Sequence, residues 1–420
     1  MHKQSIGARP TRGYHIMMES KFDVRQITSG PKFHFKPYYD MQPWDGTGRY
    51  FLCMESDFQD RPPTADDIIT VGMVDLETTE FIPLAETHAW NFQQGCMPHW
   101  MPTAPEKEII FNDRIDGAFR AVVLNVHTRE RRVLPLPIQA LTPDGKFATS
   151  LNFSRWGEWR PGYGYAGIPD PFRGQPEPAD EAVSLINLET GEHSPLVALT
   201  DVLRLTSGTD KRKGSTAWFN HLMFNNDGSR LVGLVRYWCP ELAAEATKTG
   251  INIDGAVPER RHCMWVVNAD GTGLDIVVSD GLVSHAEWRD PDHILAWASA
   301  TTETVPAYLI FDVRDKSYEI IGEQFLLEDG HMSYHQDKKW LLTDTYPDEQ
   351  VMRTLKLYNV EEDREVALGR FHAPPDLQGE LRCDLHPCWN RDGTQVAIDS
   401  IHENGARQVY IVNVGSLDDL

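Results

Sequence analysis

The stretch His221-Leu222-Met223-Phe224-Asn225-Asn226-Asp227-Gly228-Ser229-Arg230 holds the end of one apolar strand, a tight turn and the start of a second strand that runs to about Arg236. Asp-Gly between two apolar runs is a strong hairpin signal, because glycine supplies the positive φ such a turn needs. The same unit recurs along the chain. It turns at Asp45-Gly46 before Tyr50-Phe51-Leu52-Cys53, and after Pro98-His99-Trp100 before Ile109-Ile110-Phe111. It turns again at Pro143-Asp144-Gly145, at Arg289-Asp290, at Gln336-Asp337-Lys338 and at Arg391-Asp392-Gly393.

A second hairpin follows each of these. Val71-Gly72-Met73-Val74-Asp75, Val183-Ser184-Leu185-Ile186-Asn187 and Met264-Trp265-Val266-Val267-Asn268 are examples. Four strands per unit, at a spacing of about 45–80 residues, match the blades of a propeller. One four-stranded blade cannot bury both of its faces, so the units must stack radially and close. The expectation is an all-β, seven-bladed β-propeller with four-stranded blades. The segment Phe22-Asp23-Val24-Arg25-Gln26-Ile27 would close the ring by adding a strand to the final blade. Residues 21–420 then form a single domain, preceded by a mobile N-terminal arm over 1–20.

Composition narrows the function. Among the 420 residues, Lys and Arg number 40 and Asp and Glu 62, a net charge of −22. Such a surface repels nucleic acid and anionic membranes. No apolar run approaches the length of a membrane span, and the N-terminal residues carry no apolar core of a secretory signal. Six cysteines in a chain of this length do not make a disulfide framework, so reduced thiols and a cytoplasmic location are expected. No phosphate-binding loop, nucleophile elbow or dinucleotide fingerprint occurs, and no organic cofactor is expected.

In a propeller, the first strand of each blade lines the central channel. In the last four units the residue that opens this strand is histidine: His221, His285, His331 and His386. Residues leaving the second strands include Arg155, Arg236, Asp344, Tyr346 and Asp399. These positions should converge at the channel mouth. A ring of imidazoles with nearby carboxylates suits a divalent metal, with Mn, Zn or Ca as the candidates. Singly, such a histidine is more often a core residue bonded to its neighbour; four in register are harder to explain that way. Two long loops add polar groups. One is Glu86-Thr87-His88-Ala89-Trp90-Asn91-Phe92-Gln93-Gln94-Gly95. The other runs from Asn152 to Tyr165 and contains Arg155, Arg160, Tyr163 and Tyr165. Aromatic platforms beside guanidinium forks suit a sugar that carries a carboxylate. His262-Cys263 with Cys239, or Cys383 with Cys388, are weaker zinc candidates, since no CxxC pair is present.

Taken together, these motifs resemble the oligogalacturonate lyase family and related propeller polysaccharide lyases, the ulvan and rhamnose–glucuronate lyases. The residues that carry the resemblance are Tyr38-Tyr39-Asp40, Trp90-Asn91-Phe92-Gln93-Gln94-Gly95, Asn220-His221, Ser284-His285-Ala286-Glu287-Trp288, Asp329-Gly330-His331 and Asp384-Leu385-His386-Pro387. The resemblance implies β-elimination on an acidic oligosaccharide, in which a proton leaves the carbon next to a uronate carboxylate and the glycosidic oxygen departs. It implies His285, His331 and His386 as metal ligands, with Gln93 or Gln94 as a further ligand. His221, Arg236, Arg155 and Tyr163 would be catalytic. His88, Asn91, Gln94, Arg160, Tyr165 and Tyr39 would bind substrate. Two other readings compete: a non-catalytic binding propeller, and a glycoside hydrolase that uses the channel carboxylates Asp40, Asp344 and Asp399.

Overall fold

The structure is a computed structural model, and it describes residues 18–206, 214–238, 260–301 and 304–420. Strand-forming segments rich in Val, Ile, Leu and aromatic residues pair almost wholly with their sequence neighbours, as the repeated hairpins require. The result is six antiparallel sheets. The first holds Phe33–Phe35, Tyr50–Ser56, Ile69–Asp75 and Glu80–Thr87. The second holds His99–Trp100, Glu108–Ile115, Ala118–Asn125 and Arg131–Val133, and the third Ala140–Leu141, Phe147–Ser150, Ala182–Asn187 and His193–Ala198.

The fourth sheet has seven strands: Thr216–Phe224, Arg230–Trp238, Arg260–Asn268, Asp275–Asp290, His293–Ser299, Ala307–Asp312 and Tyr318–Ile320. Its long strand Asp275–Asp290 pairs with Arg260–Asn268 up to Gly281, and with His293–Ser299 from Leu282 onward. The fifth sheet holds Met332–Tyr334, Trp340–Asp344, Met352–Asn359 and Arg364–His372, with Met18–Glu19 added at its edge. The sixth holds Cys388–Trp389, Gln395–Ser400 and Gln408–Asn413, and Asp23–Gln26 pairs with the last of these. The expected pairing of the N-terminal segment with the C-terminal strand is therefore present. Of the arm expected over 1–20, residues 1–17 lie outside the described residues, and Met18 and Glu19 are strand-paired.

The turns form as the sequence asks. At Gly228, φ is +74°. The Gly228 amide donates to the Asn225 carbonyl, and the Arg230 amide donates to Asn225 Oδ1. Apolar side chains pack between adjacent sheets, with Trp44, Trp90, Trp156, Trp218, Trp265 and Trp288 all but fully buried. Burying both faces of each sheet against its neighbours yields a β-propeller. Two short helices interrupt it, Phe153–Trp159 and Leu199–Leu205. No helix among the described residues is long and apolar enough to cross a membrane.

Candidate active site

The channel histidines converge around the pair Tyr38-Tyr39, which lies in the connection between Phe33–Phe35 and Tyr50–Ser56. The Tyr38 ring centre lies 5.9 Å from that of His221, 5.7 Å from that of His331 and 4.9 Å from that of His386. Tyr39 stacks on His221 and meets His285 and His331 edge-on or tilted. The ring centres of His285 and His331 are 4.2 Å apart, and those of His331 and His386 4.4 Å. All four imidazoles are buried.

Local backbone geometry aims them. His221 sits on a β-bulge between Asn220 and Leu222, with φ at +40°, and His386 has φ at +45°. Left-handed backbone at a non-glycine residue costs on the order of 1–3 kcal/mol and tends to mark functional sites. Gly330 is required for another reason. A Cβ there would lie 1.9 Å from the Asp344 carbonyl, yet this close approach lets the next amide, that of His331, donate to Asp344 Oδ1.

Two of the imidazoles are hydrogen-bonded to a carboxylate through Nδ1, and a third has one nearby. His285 Nδ1 is 2.9 Å from Asp329, His331 Nδ1 is 3.1 Å from Asp344, and His386 Nδ1 is 3.6 Å from Asp399. A carboxylate at Nδ1 fixes ring orientation and leaves Nε2 free to bind a metal. The Nε2 atoms of His331 and His386 are buried with no hydrogen-bond partner. Together with Asp384 they form a group whose ligand atoms all lie within 4.8 Å of one another, the one such group among the described residues. Burial lowers His285 and His386 below the ordinary imidazole range, which favours the neutral form, whereas at His331 the Asp344 carboxylate outweighs burial and raises it. His221 differs, because its Nε2 faces Asp40 Oδ2 at 3.7 Å.

Next to this group lies a cationic cluster. Asp384 is fully buried between Arg353, at 2.7 Å, and Arg382, at 2.7 Å. Burial would raise its carboxyl, but the two guanidinium groups outweigh that and hold it far below the carboxylate range. Arg382 Nη2 donates to the Tyr163 hydroxyl at 2.8 Å, and the Arg160 guanidinium lies over the Tyr163 ring at 4.4 Å. Burial pushes the Tyr163 phenol up, but Arg382 and Arg160 more than offset it and bring it down to about 7. Gln93 Nε2 donates to the carbonyls of Glu380 and Arg382, and Arg407 Nη2 to those of Leu381 and Arg382. These two buried side chains brace the strip that carries Arg382, Asp384 and His386.

Other expected site residues are engaged elsewhere. Arg155 spends its guanidinium on Asp170 at 2.8 Å and on the carbonyls of Ala217, Gln175 and Pro176, so it buttresses the fold instead of facing a substrate. Tyr165 stacks on Phe153 within the core, and its hydroxyl accepts from Asn112. His88 lines a separate cavity of about 850 Å³ with Glu86, Asp113 and Arg131. Asn91 caps its own loop through Oδ1 and donates to the Gly164 carbonyl. The Tyr39 hydroxyl donates to the Ala286 carbonyl, and Arg236 donates to the carbonyls of Val283 and Ser284. Gln93 braces through Nε2 alone, and the Oε1 atoms of both Gln93 and Gln94 are buried and unpaired. Cys53, Cys96, Cys383 and Cys388 are buried and form no disulfide, and Cys239 lies outside the described residues. The sequence reading missed Arg353, Arg382 and the ligand role open to Asp384. The available signal was the run Arg382-Cys383-Asp384-Leu385-His386, which sets an arginine and an aspartate immediately before a channel histidine.

Fold and site together define a β-propeller with a histidine–carboxylate and arginine cluster at its centre. No family model and no curated protein matches the sequence. Among solved structures, the chain is similar to an oligogalacturonate lyase from Vibrio parahaemolyticus at a TM-score of 0.62 and 13% identity, over 95% of this chain and 97% of that one. It is likewise similar to an oligogalacturonate lyase in complex with manganese, at a TM-score of 0.63 and 14% identity, over 94% and 93%. A prolyl endopeptidase is similar at a TM-score of 0.50 and 12% identity, over 91% of this chain and 48% of that one. At these identities the likeness is one of fold.

Proposed function

We propose that this protein is a carbon–oxygen lyase that cleaves a uronate-containing oligosaccharide by β-elimination. The observation that carries the reading is the contact between Tyr163 and Arg382 beside the His331–Asp384–His386 group. The ring is read as seven blades, the long strand Asp275–Asp290 serving two of them, with Asp23–Gln26 closing the last. The likeness to solved oligogalacturonate lyases, one holding manganese, supports the reading at the level of fold.

The chemistry follows from the cluster. The proton next to a uronate carboxylate is very weakly acidic, so charge on that carboxylate must be neutralised as the proton leaves. Arg382 and Arg160 supply fixed positive charge for this. Tyr163, brought down to about 7 by Arg382 and Arg160, is suited to taking the proton and returning one to the departing glycosidic oxygen. His221 is a poorer base, since burial brings it down to about 3. Its contact with Asp40 fits a positioning role in the channel.

His331, Asp384 and His386 would hold a divalent ion, with His285 adjacent, and when bound the ion would add Lewis-acid neutralisation of the carboxylate. Two imidazoles and one carboxylate suit Mn or Zn better than Ca, which prefers an all-oxygen shell. A hydrolase is less well served at Asp344, which is hydrogen-bonded to both the backbone amide and Nδ1 of His331. A binding module would not need a buried phenol held near neutrality. The test is incubation with oligouronides and Mn, read by ultraviolet absorbance of the unsaturated product. New reducing ends without that chromophore would show hydrolysis and overturn the reading.

A further inference from the structure

A cavity of about 300 Å³ lies along the first strands of the second, third and fourth sheets, which contribute His99-Trp100, Ala140-Leu141 and Leu222-Met223-Phe224 to its wall. The connection Asp40-Met41-Gln42 lines it as well. His285, His331, Asp384 and His386 do not, so the cavity is distinct from the metal-ligand group. Asp40 stands between the two regions, because its Oδ2 faces His221 Nε2 at 3.7 Å.

Three residues of this wall carry a buried polar atom without a hydrogen-bond partner: Asp40 Oδ1, His99 Nε2 and Gln139 Oε1. Gln139 as a whole is only 2% exposed. Burial brings His99 down to about 4, so its imidazole is neutral and Nε2 is able to accept. Buried acceptors left unmatched cost free energy, and a bound donor removes that cost.

The charge on the wall is also unmatched. Among the described residues, the one ion-pair partner of Asp40 is His221, which burial keeps neutral by bringing it down to about 3. Burial raises Asp40 itself to about 7. Arg391, the cation of the wall, is turned to the carbonyls of Trp44 and Asp45. An anion placed here would meet Asp40, whereas a cation would relieve it. A primary ammonium brings one positive charge and three N–H donors, as many as the unmatched acceptors. Its apolar stem would lie on Leu222, Phe224 and Trp100, and the two aromatic faces also favour a cation.

We propose that this cavity binds a small organic primary amine as its ammonium ion, with Asp40 taking the charge and Gln139 and His99 accepting the remaining N–H donors. The inference does not rest on the elimination reading above.

Calorimetry on the full chain tests it, with benzylammonium and the nearly isosteric benzyl alcohol as probes, each with and without saturating Mn. The expected result is one benzylammonium per chain, bound about 10-fold or more tightly than the alcohol, as a charge-assisted hydrogen bond to a buried carboxylate implies. Gln139→Leu should weaken the ammonium by about 10-fold and leave Mn binding unchanged, and Asp40→Asn should abolish the preference over the alcohol. Circular dichroism checks the fold of both variants. Equal binding of the two probes, no binding of either, or an unchanged affinity in Gln139→Leu overturns the proposal. Displacement of benzylammonium by Mn would place it in the histidine group and overturn the proposal too. Displacement by Ca or Mg that depends on Gln139 would assign the cavity to an inorganic ion instead.

Discussion

Arg382 Nη2 donates a 2.8 Å hydrogen bond to the Tyr163 hydroxyl, although the two residues are 219 positions apart in the chain. One lies on the loop that follows the helix Phe153–Trp159 and the other on the segment that leads to His386. Only tertiary packing brings them together, and the Arg382 guanidinium favours the ionised phenol.

Removing the hydroxyl should therefore remove the chemistry. Tyr163→Phe is expected to lower kcat by about 10²–10⁴-fold, the usual contribution of a proton-transferring side chain. The stacking of this ring on Trp156 is retained, so the fold should persist. The measurement is initial rate of chromophore formation, with circular dichroism as the folding check. A variant that keeps wild-type kcat would rule Tyr163 out.

The pH profile follows from the same pair. Proton removal needs the ionised phenol, so kcat/KM should rise with pH through about 7. In Arg382→Ala the phenol loses its main stabilising charge, and the rising limb should move to higher pH by about 1–3 units. A limb that stays in place would mean another group titrates.

Metal affinity should divide the histidines. His331→Ala and His386→Ala are expected to lose most bound Mn or Zn, read by elemental analysis after dialysis, whereas His221→Ala should retain it. Asp344→Asn leaves the ligands intact but releases His331 Nδ1, and should weaken metal binding by about 10–100-fold. Full metal binding by His386→Ala would remove it from the ligand set.

Stability should depend on Glu181. Its carboxyl is pushed up to about 7 by burial, beyond the relief from Asn152 and Arg155. The folded value lies above the unfolded one, so the folded state binds the proton more tightly. Stability from this group is complete below pH 4.5 and is lost as pH rises through about 7. Glu181→Gln should recover about 2–3 kcal/mol at pH 8 and change little at pH 4, as read by denaturant unfolding. Equal stability of the two proteins at pH 8 would contradict this.

Arg155 offers a contrasting case. Its pairing with Asp170 is almost fully buried, at 1% and 0% side-chain exposure. Asp170→Ala strands a buried guanidinium and should cost about 3–5 kcal/mol of stability. Activity in the fraction that remains folded should persist, which separates this pair from the Tyr163–Arg382 pair.

The sequence by itself determined the hairpins, the all-β class and the four channel histidines. Strand alternation, Asp-Gly turns and a fixed place in each repeat are local signals, legible within about ten residues of His221, His285, His331 and His386. Tertiary structure alone decided what those residues meet. Asp384 is a possible ligand because Arg353 and Arg382 compensate its burial, and Tyr163 is poised near neutrality because Arg382 reaches it from a distant part of the chain. Arg155 and Tyr165, which stand in the same polar loop as Tyr163, turned instead to Asp170 and Asn112. A loop's composition names the groups it offers, but a pKa or a ligand geometry depends on charges and desolvation supplied by other sheets, and those distances are set only when the sheets pack.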